Sequence, residues 1–99
     1  MEPPKAFAVE AGPSWARWAK CRTEAELEEI DARLKQLQEN FGTPHFHAGL
    51  GLRRLTRRLF EFRISKGIRV VFAFLKPRTI RLAMTGSHDE VRAWLKENA

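Results

Sequence analysis

Hydrophobic and polar positions alternate along this chain in two rhythms, and the change between them divides it. Leu27, Ile30, Leu34, Leu37 and Phe41 recur at spacings of three and four, the single apolar stripe of an amphipathic helix. Thr23-x-x-Glu26 is a capping box at its start, and acids in the first turns suit the positive helix end. Gly42, Thr43 and Pro44 stop it. From Phe60 the period becomes two. Phe60, Phe62 and Ile64 alternate with Glu61, Arg63 and Ser65; Ile68, Val70, Phe72 and Phe74 alternate with Arg69, Val71, Ala73 and Leu75. Ile80, Leu82 and Met84 alternate with Thr79, Arg81, Ala83 and Thr85, so three strands are predicted.

The ends are shorter versions of the same code. Met1 to Pro4 reads as a frayed lead. Lys5 to Glu10 alternates as a strand with Phe7 and Val9 inward, and Gly12 and Pro13 break it. A short helix from about Pro13 to Arg22 presents Trp15 and Trp18 on one face. Ser87-x-x-Glu90 is a second capping box, opening a C-terminal helix that docks through Val91, Trp94 and Leu95. The pattern therefore predicts one α+β domain over residues 1–99. Its small antiparallel sheet combines the N-terminal strand with a three-stranded meander. Two N-terminal helices pack on one face, and a C-terminal helix follows.

Strand phases also predict a register. With Ser65-Lys66-Gly67 as a three-residue turn and Gly67 left-handed, Phe62 faces Val70 and Arg63 faces Arg69. Treating Lys76-Pro77-Arg78 the same way sets Phe72 beside Leu82 and Arg69 beside Thr85. One sheet face is then apolar and lies under the helices, while the other is mixed, basic and open.

Charge sharpens that picture. The formal net charge is +6, yet Glu24 to Asp31 carries five acids and no base. Leu50 to Arg81 holds ten Lys and Arg against one acid, Glu61. Cations threaded through an alternating strand pattern stand on a folded surface, and such a face attracts polyanions, nucleic acid first among them. A single cysteine, Cys21, excludes an internal disulfide and suits a reducing, cytoplasmic setting. No apolar run reaches the roughly 20 residues of a membrane span, no signal-peptide core is visible, and no basic amphipathic helix suits a membrane surface.

Candidate chemistry follows from the predicted row Arg63, Arg69 and Thr85, with His88 just beyond the turn at Gly86. Paired guanidiniums grip a phosphate and stabilise the extra negative charge of a phosphorane. An imidazole beside them can accept or donate a proton. Metal-free RNA cleavage needs those functions; the bland reading is a solubilising strand face. His45 and His47 flank Phe46 and are a further proton-transfer possibility or simple loop residues. No Cys or acidic cluster accompanies them, which speaks against zinc. Arg53, Arg54, Arg57, Arg58 and Arg81 read as RNA-backbone contacts, and the tryptophans as core. No phosphate-cradling glycine loop or nucleotide fingerprint is present.

The stretch Leu52-Arg53-Arg54-Leu55, then Leu59-Phe60-Glu61-Phe62-Arg63-Ile64, Gly67-Ile68-Arg69-Val70-Val71-Phe72 and Thr85-Gly86-Ser87-His88 resembles the RelE/ParE superfamily of bacterial toxin–antitoxin toxins, most of all the RelE and YafQ-like mRNA interferases. The resemblance implies a RelE-like fold and a ribosome-dependent endoribonuclease. Such an enzyme cuts mRNA by 2′-hydroxyl attack without metal or cofactor, and an antitoxin protein restrains it. It assigns phosphate stabilisation to Arg69, catalysis to His88, a supporting cation to Arg63 and a general base to His47. The chain departs from the YafQ-like pattern at Met84, where those proteins carry arginine, and it contains no tyrosine. Two other readings stay open: a ParE-like, gyrase-directed toxin, and a non-catalytic RNA- or protein-binding member.

Overall fold

The computed structural model describes residues 8–40, 51–75 and 78–98. In chain order these form β1 (Ala8–Ala11), α1 (Trp15–Ala19), α2 (Glu24–Asn40), β2 (Arg53–Arg54), β3 (Leu59–Arg63), a 3-10 turn (Ser65–Gly67), β4 (Arg69–Leu75), β5 (Thr79–Gly86) and α3 (His88–Asn98). The strands make one five-stranded sheet in the order β1-β5-β4-β3-β2. This is the expected α+β class, with two corrections to the sheet. First, β1 runs parallel to β5, Ala8 opposite Thr79 through Ala11 opposite Leu82, so the sheet is mixed. Helices α1 and α2 and strands β2 to β4 lie between the two strands in the chain, and no hairpin constrains their relative direction. Second, Arg53–Arg54 is itself a strand, antiparallel to β3. Two adjacent arginines carry no alternation from which to read it.

Both capping boxes form as read. Glu26 N–H donates to Thr23 Oγ1 at 3.1 Å and Thr23 N–H to Glu26 Oε1 at 2.8 Å. Glu90 N–H donates to Ser87 Oγ at 3.2 Å and Ser87 N–H to Glu90 Oε1 at 2.8 Å. The α2 stripe buries Ile30, Leu34 and Leu37 against Phe62, Ile64, Val70, Phe72, Ile80 and Leu82. Leu27, at the open end of that stripe, stays 39% exposed. Gly67 has φ +75° and turns β3 into β4 as expected. Gly12 is needed for a different reason: a Cβ there would sit 2.6 Å from the Leu82 carbonyl oxygen.

Register separates what the turn fixes from what it does not. Phe62–Val70, Arg63–Arg69 and Phe72–Leu82 pair as predicted. Arg69, however, lies opposite Gly86 rather than Thr85, because the β4–β5 register shifts between Val71 and Phe72, leaving Ala83 as an extra residue on β5. One inserted residue inverts every side chain beyond it. Met84 therefore leaves the side occupied by Ile80 and Leu82 and is buried beside Val71 in a second cluster. Thr85 turns inward, fully buried, and donates from Oγ1 to the Arg69 carbonyl oxygen at 2.9 Å.

That second cluster corrects the expectation of an open basic face. Leu59, Val71 and Met84 form an apolar floor on which α3 seats Val91, Trp94 and Leu95. Nor do the N-terminal helices share one face. Trp15 packs against the α2 side and Trp18 against the α3 side, so short α1, which packs on β5, serves both cores. The first helix is shorter than the Pro13 to Arg22 predicted, and Lys5 to Phe7 of the predicted first strand lie outside the described residues. Among the described residues no helix is long and apolar enough to cross a membrane.

Candidate nucleic-acid interface

Alternation and the bulge decide which side chains share the α3 side of the sheet. Leu59 and Val71 lie on it, so Glu61, Arg63 and Arg69 do too. At one end, Arg63, Arg69 and Gly86 stand in a row across β3, β4 and β5. Two residues beyond Gly86, His88 is the first residue of α3. The topology thus brings the three nominated groups to the same end of the sheet, with Gly86 taking the place expected for Thr85. Arg63 and His88 are exposed, and Arg69 is half-buried. Gly51, at φ +72°, closes over Arg63: a Cβ there would lie 3.4 Å from Arg63 Nε.

Arg69 is anchored rather than loose. Its Nε lies 3.2 Å from Glu61 Oε2, and Arg53 Nη2 approaches the same oxygen to 3.3 Å. The three side chains are 14%, 3% and 60% exposed for Arg69, Glu61 and Arg53. Two guanidiniums on one carboxylate oxygen help offset the hydration that burial takes from it. Sequence reasoning assigned Glu61 no role. Its signal was present, since it is the lone acid in the basic stretch and faces Arg53 across a strand pair.

The other nominated cations do not form one surface. Arg54 donates to the carbonyl oxygens of Thr56 at 3.2 Å and Arg57 at 2.8 Å, and stacks 5.5 Å from the Phe60 ring centroid. It holds the β2–β3 turn. Arg81 Nε reaches Glu10 Oε1 at 2.7 Å, an ion pair between neighbouring strands. Arg57, Arg58 and Arg81 line a groove of ≈ 590 Å³ floored by Leu59, Ala73, Leu75 and Trp94. Asn98 also lines it, which puts this groove at the far end of α3 from His88. The basic stretch therefore divides into two patches at opposite ends of one helix. His45 and His47 lie outside the described residues. Among the described residues no three His, Cys, Asp or Glu side chains are grouped to hold a metal ion.

One carboxylate is perturbed elsewhere. Ser65 donates to Glu29 from its hydroxyl and from its backbone N–H at 2.9 Å. Those two bonds, helped by Arg33, outweigh desolvation and hold the Glu29 carboxyl below its ordinary range. This contact ties α2 to the β3–β4 turn.

A mixed sheet of this order, with a helix on each side and a short third helix serving both, is the RelE fold. No protein-family model and no curated protein sequence matches the chain. Solved structures do. A doubly substituted E. coli toxin RelE in the free state superposes with TM-score 0.70 at 13% identity, over 95% of this chain and 99% of that one. A chain of the archaeal RelE–RelB complex from Pyrococcus horikoshii gives 0.64 at 14% identity, over 83% and 94%. The RelB–RelE antitoxin–toxin complex of Methanococcus jannaschii gives 0.65 at 9% identity, over 87% and 98%. The likeness at these identities is one of fold.

Proposed function

We propose that this chain is the toxin of a toxin–antitoxin pair and a ribosome-dependent mRNA endoribonuclease of the cytoplasm. The observation that carries the reading is the Arg63–Arg69 row running into Gly86-Ser87-His88 on a RelE fold. Cleavage would begin with attack of a ribose 2′-oxygen on the adjacent phosphorus. The new O–P bond forms as the 5′-oxygen bond breaks, leaving a 2′,3′-cyclic phosphate and a 5′-hydroxyl. Arg69 and Arg63 stabilise the negative charge that accumulates on the phosphorane oxygens. His88 exchanges the proton that this step moves, and a base from the His45–His47 segment is the partner the resemblance implies. No step requires a metal. An antitoxin is the protein partner this reading entails, and the neighbouring RelE–RelB complexes support it.

The test is translation of a defined message on purified ribosomes, scored for cuts. His88 is exposed, so His88→Ala leaves the core intact; it is expected to reduce cleavage by about 100-fold or more, the usual scale for a lost proton-transfer group. Arg69→Lys keeps the charge, gives up the planar fork, and should lose a comparable factor. Equal cutting by both variants would remove these residues from the mechanism. Inhibition of gyrase without message cleavage would establish the ParE-like alternative, and RNA binding without either activity the non-catalytic one.

A further inference from the structure

Burying an acid beneath a basic surface costs stability, and Glu61 is 2% exposed. Among the described residues only one of its oxygens is used: Oε2 takes both guanidiniums, while Oε1 is buried with no hydrogen-bond partner there. Its neighbours on this side include Val71 across the pair with β4 and Leu59 on its own strand, both part of an apolar cluster. An apolar residue of similar volume would fill such a place without leaving an acceptor unpaired. What the carboxylate adds is a bond to one chosen edge of Arg69. The contact uses Nε at 3.2 Å, which leaves the two terminal nitrogens of the fork for another partner. The main chain at Arg69 is held as well, because buried Thr85 donates to its carbonyl oxygen.

We propose that Glu61 is a positioning residue: it fixes Arg69 so that the Nη1/Nη2 edge is presented, in one orientation, to a phosphate of bound RNA. This rests on the phosphodiester-cleaving reading for its catalytic consequence, though not for the geometry itself. Preorganising a charged donor before charge develops avoids a reorganisation cost during the reaction.

Two variants test it. Glu61→Leu replaces the carboxylate by a side chain of similar volume, and Glu61→Gln keeps an acceptor but removes the charge. In single-turnover cleavage on programmed ribosomes, both should cut roughly 10- to 100-fold more slowly, the scale of a misplaced catalytic group. The half-saturating ribosome concentration should stay within about twofold, because the loss is confined to the transition state. Glu61→Gln should retain more rate than Glu61→Leu. The second readout is independent of cleavage: the Arg69 Nε–H resonance, protected from solvent exchange in the parent, should exchange faster in Glu61→Leu. An Arg69 resonance unchanged by Glu61→Leu overturns the proposal. So does a folded Glu61→Leu that cleaves at the parent rate. A parent that never cleaves, with the Arg69 resonance still responding, would instead overturn the nuclease reading and leave Glu61's hold on Arg69 standing.

Discussion

At the scale of single residues, the Arg53–Glu61–Arg69 set makes an unusual prediction about stability. Removing Arg69 leaves the Glu61 side chain, 3% exposed, with the exposed Arg53 as its ion-pair partner among the described residues. Arg69→Ala should therefore cost about 3–5 kcal/mol in denaturant unfolding, the typical penalty for stranding a buried charge. Adding Glu61→Leu to Arg69→Ala should recover most of it. Additive losses in the double variant would mean the pair is not coupled. The Arg63–Arg69 pairing was legible before the fold was known, because both side chains follow from strand phase and one short turn. Glu61 was visible as a lone acid, but nothing in one-dimensional spacing says that a charge will be buried. Glu61 is buried between Arg53 and Arg69, whose strands flank its own.

At the scale of elements, the caps and the Glu29 clamp carry separable predictions. Ser87 caps the helix whose first residue is His88, so Ser87→Ala should lower stability by about 1 kcal/mol and fray that first turn. Hydrogen exchange localised to 88–91 would check it; uniform exchange along α3 would contradict it. Glu29 has a depressed carboxyl pKa in the folded chain. Its contribution is therefore present above the ordinary carboxylate range and is lost as pH falls through the lower, folded value. Glu29→Gln should flatten the acid limb of the stability–pH curve and leave the neutral limb's slope unchanged. Helix starts were readable because capping boxes are local chemistry. The bulge at Ala83 was not, since alanine carries no marker of an inserted residue, and Met84 and Thr85 exchanged sides in consequence. Parallel β1 was equally hidden, because direction between distant strands is decided by packing rather than by a turn.

Across the whole molecule, α3 separates two cationic regions: Arg63, Arg69 and His88 at its start, and the Arg57–Arg58–Arg81 groove at its end. If the first cleaves and the second only holds RNA backbone, they respond differently to mutation. The pair Arg57→Ala and Arg58→Ala should weaken RNA binding across sequences and reduce the log–log salt slope by about 1 to 2, without moving the cut site. A changed cut site would place those arginines in the reaction. Both groups sit on a fold that superposes with the E. coli toxin at only 13% identity, so the architecture is carried by patterning more than by shared residues. The proposed cleavage of message needs both His88 and Arg69. It is tested most directly by single-turnover cleavage of a defined mRNA on purified ribosomes, parent against His88→Ala. The parent should cut, and the rate should fall about 100-fold in the folded variant. Cuts of equal rate, or none from the parent, would contradict it.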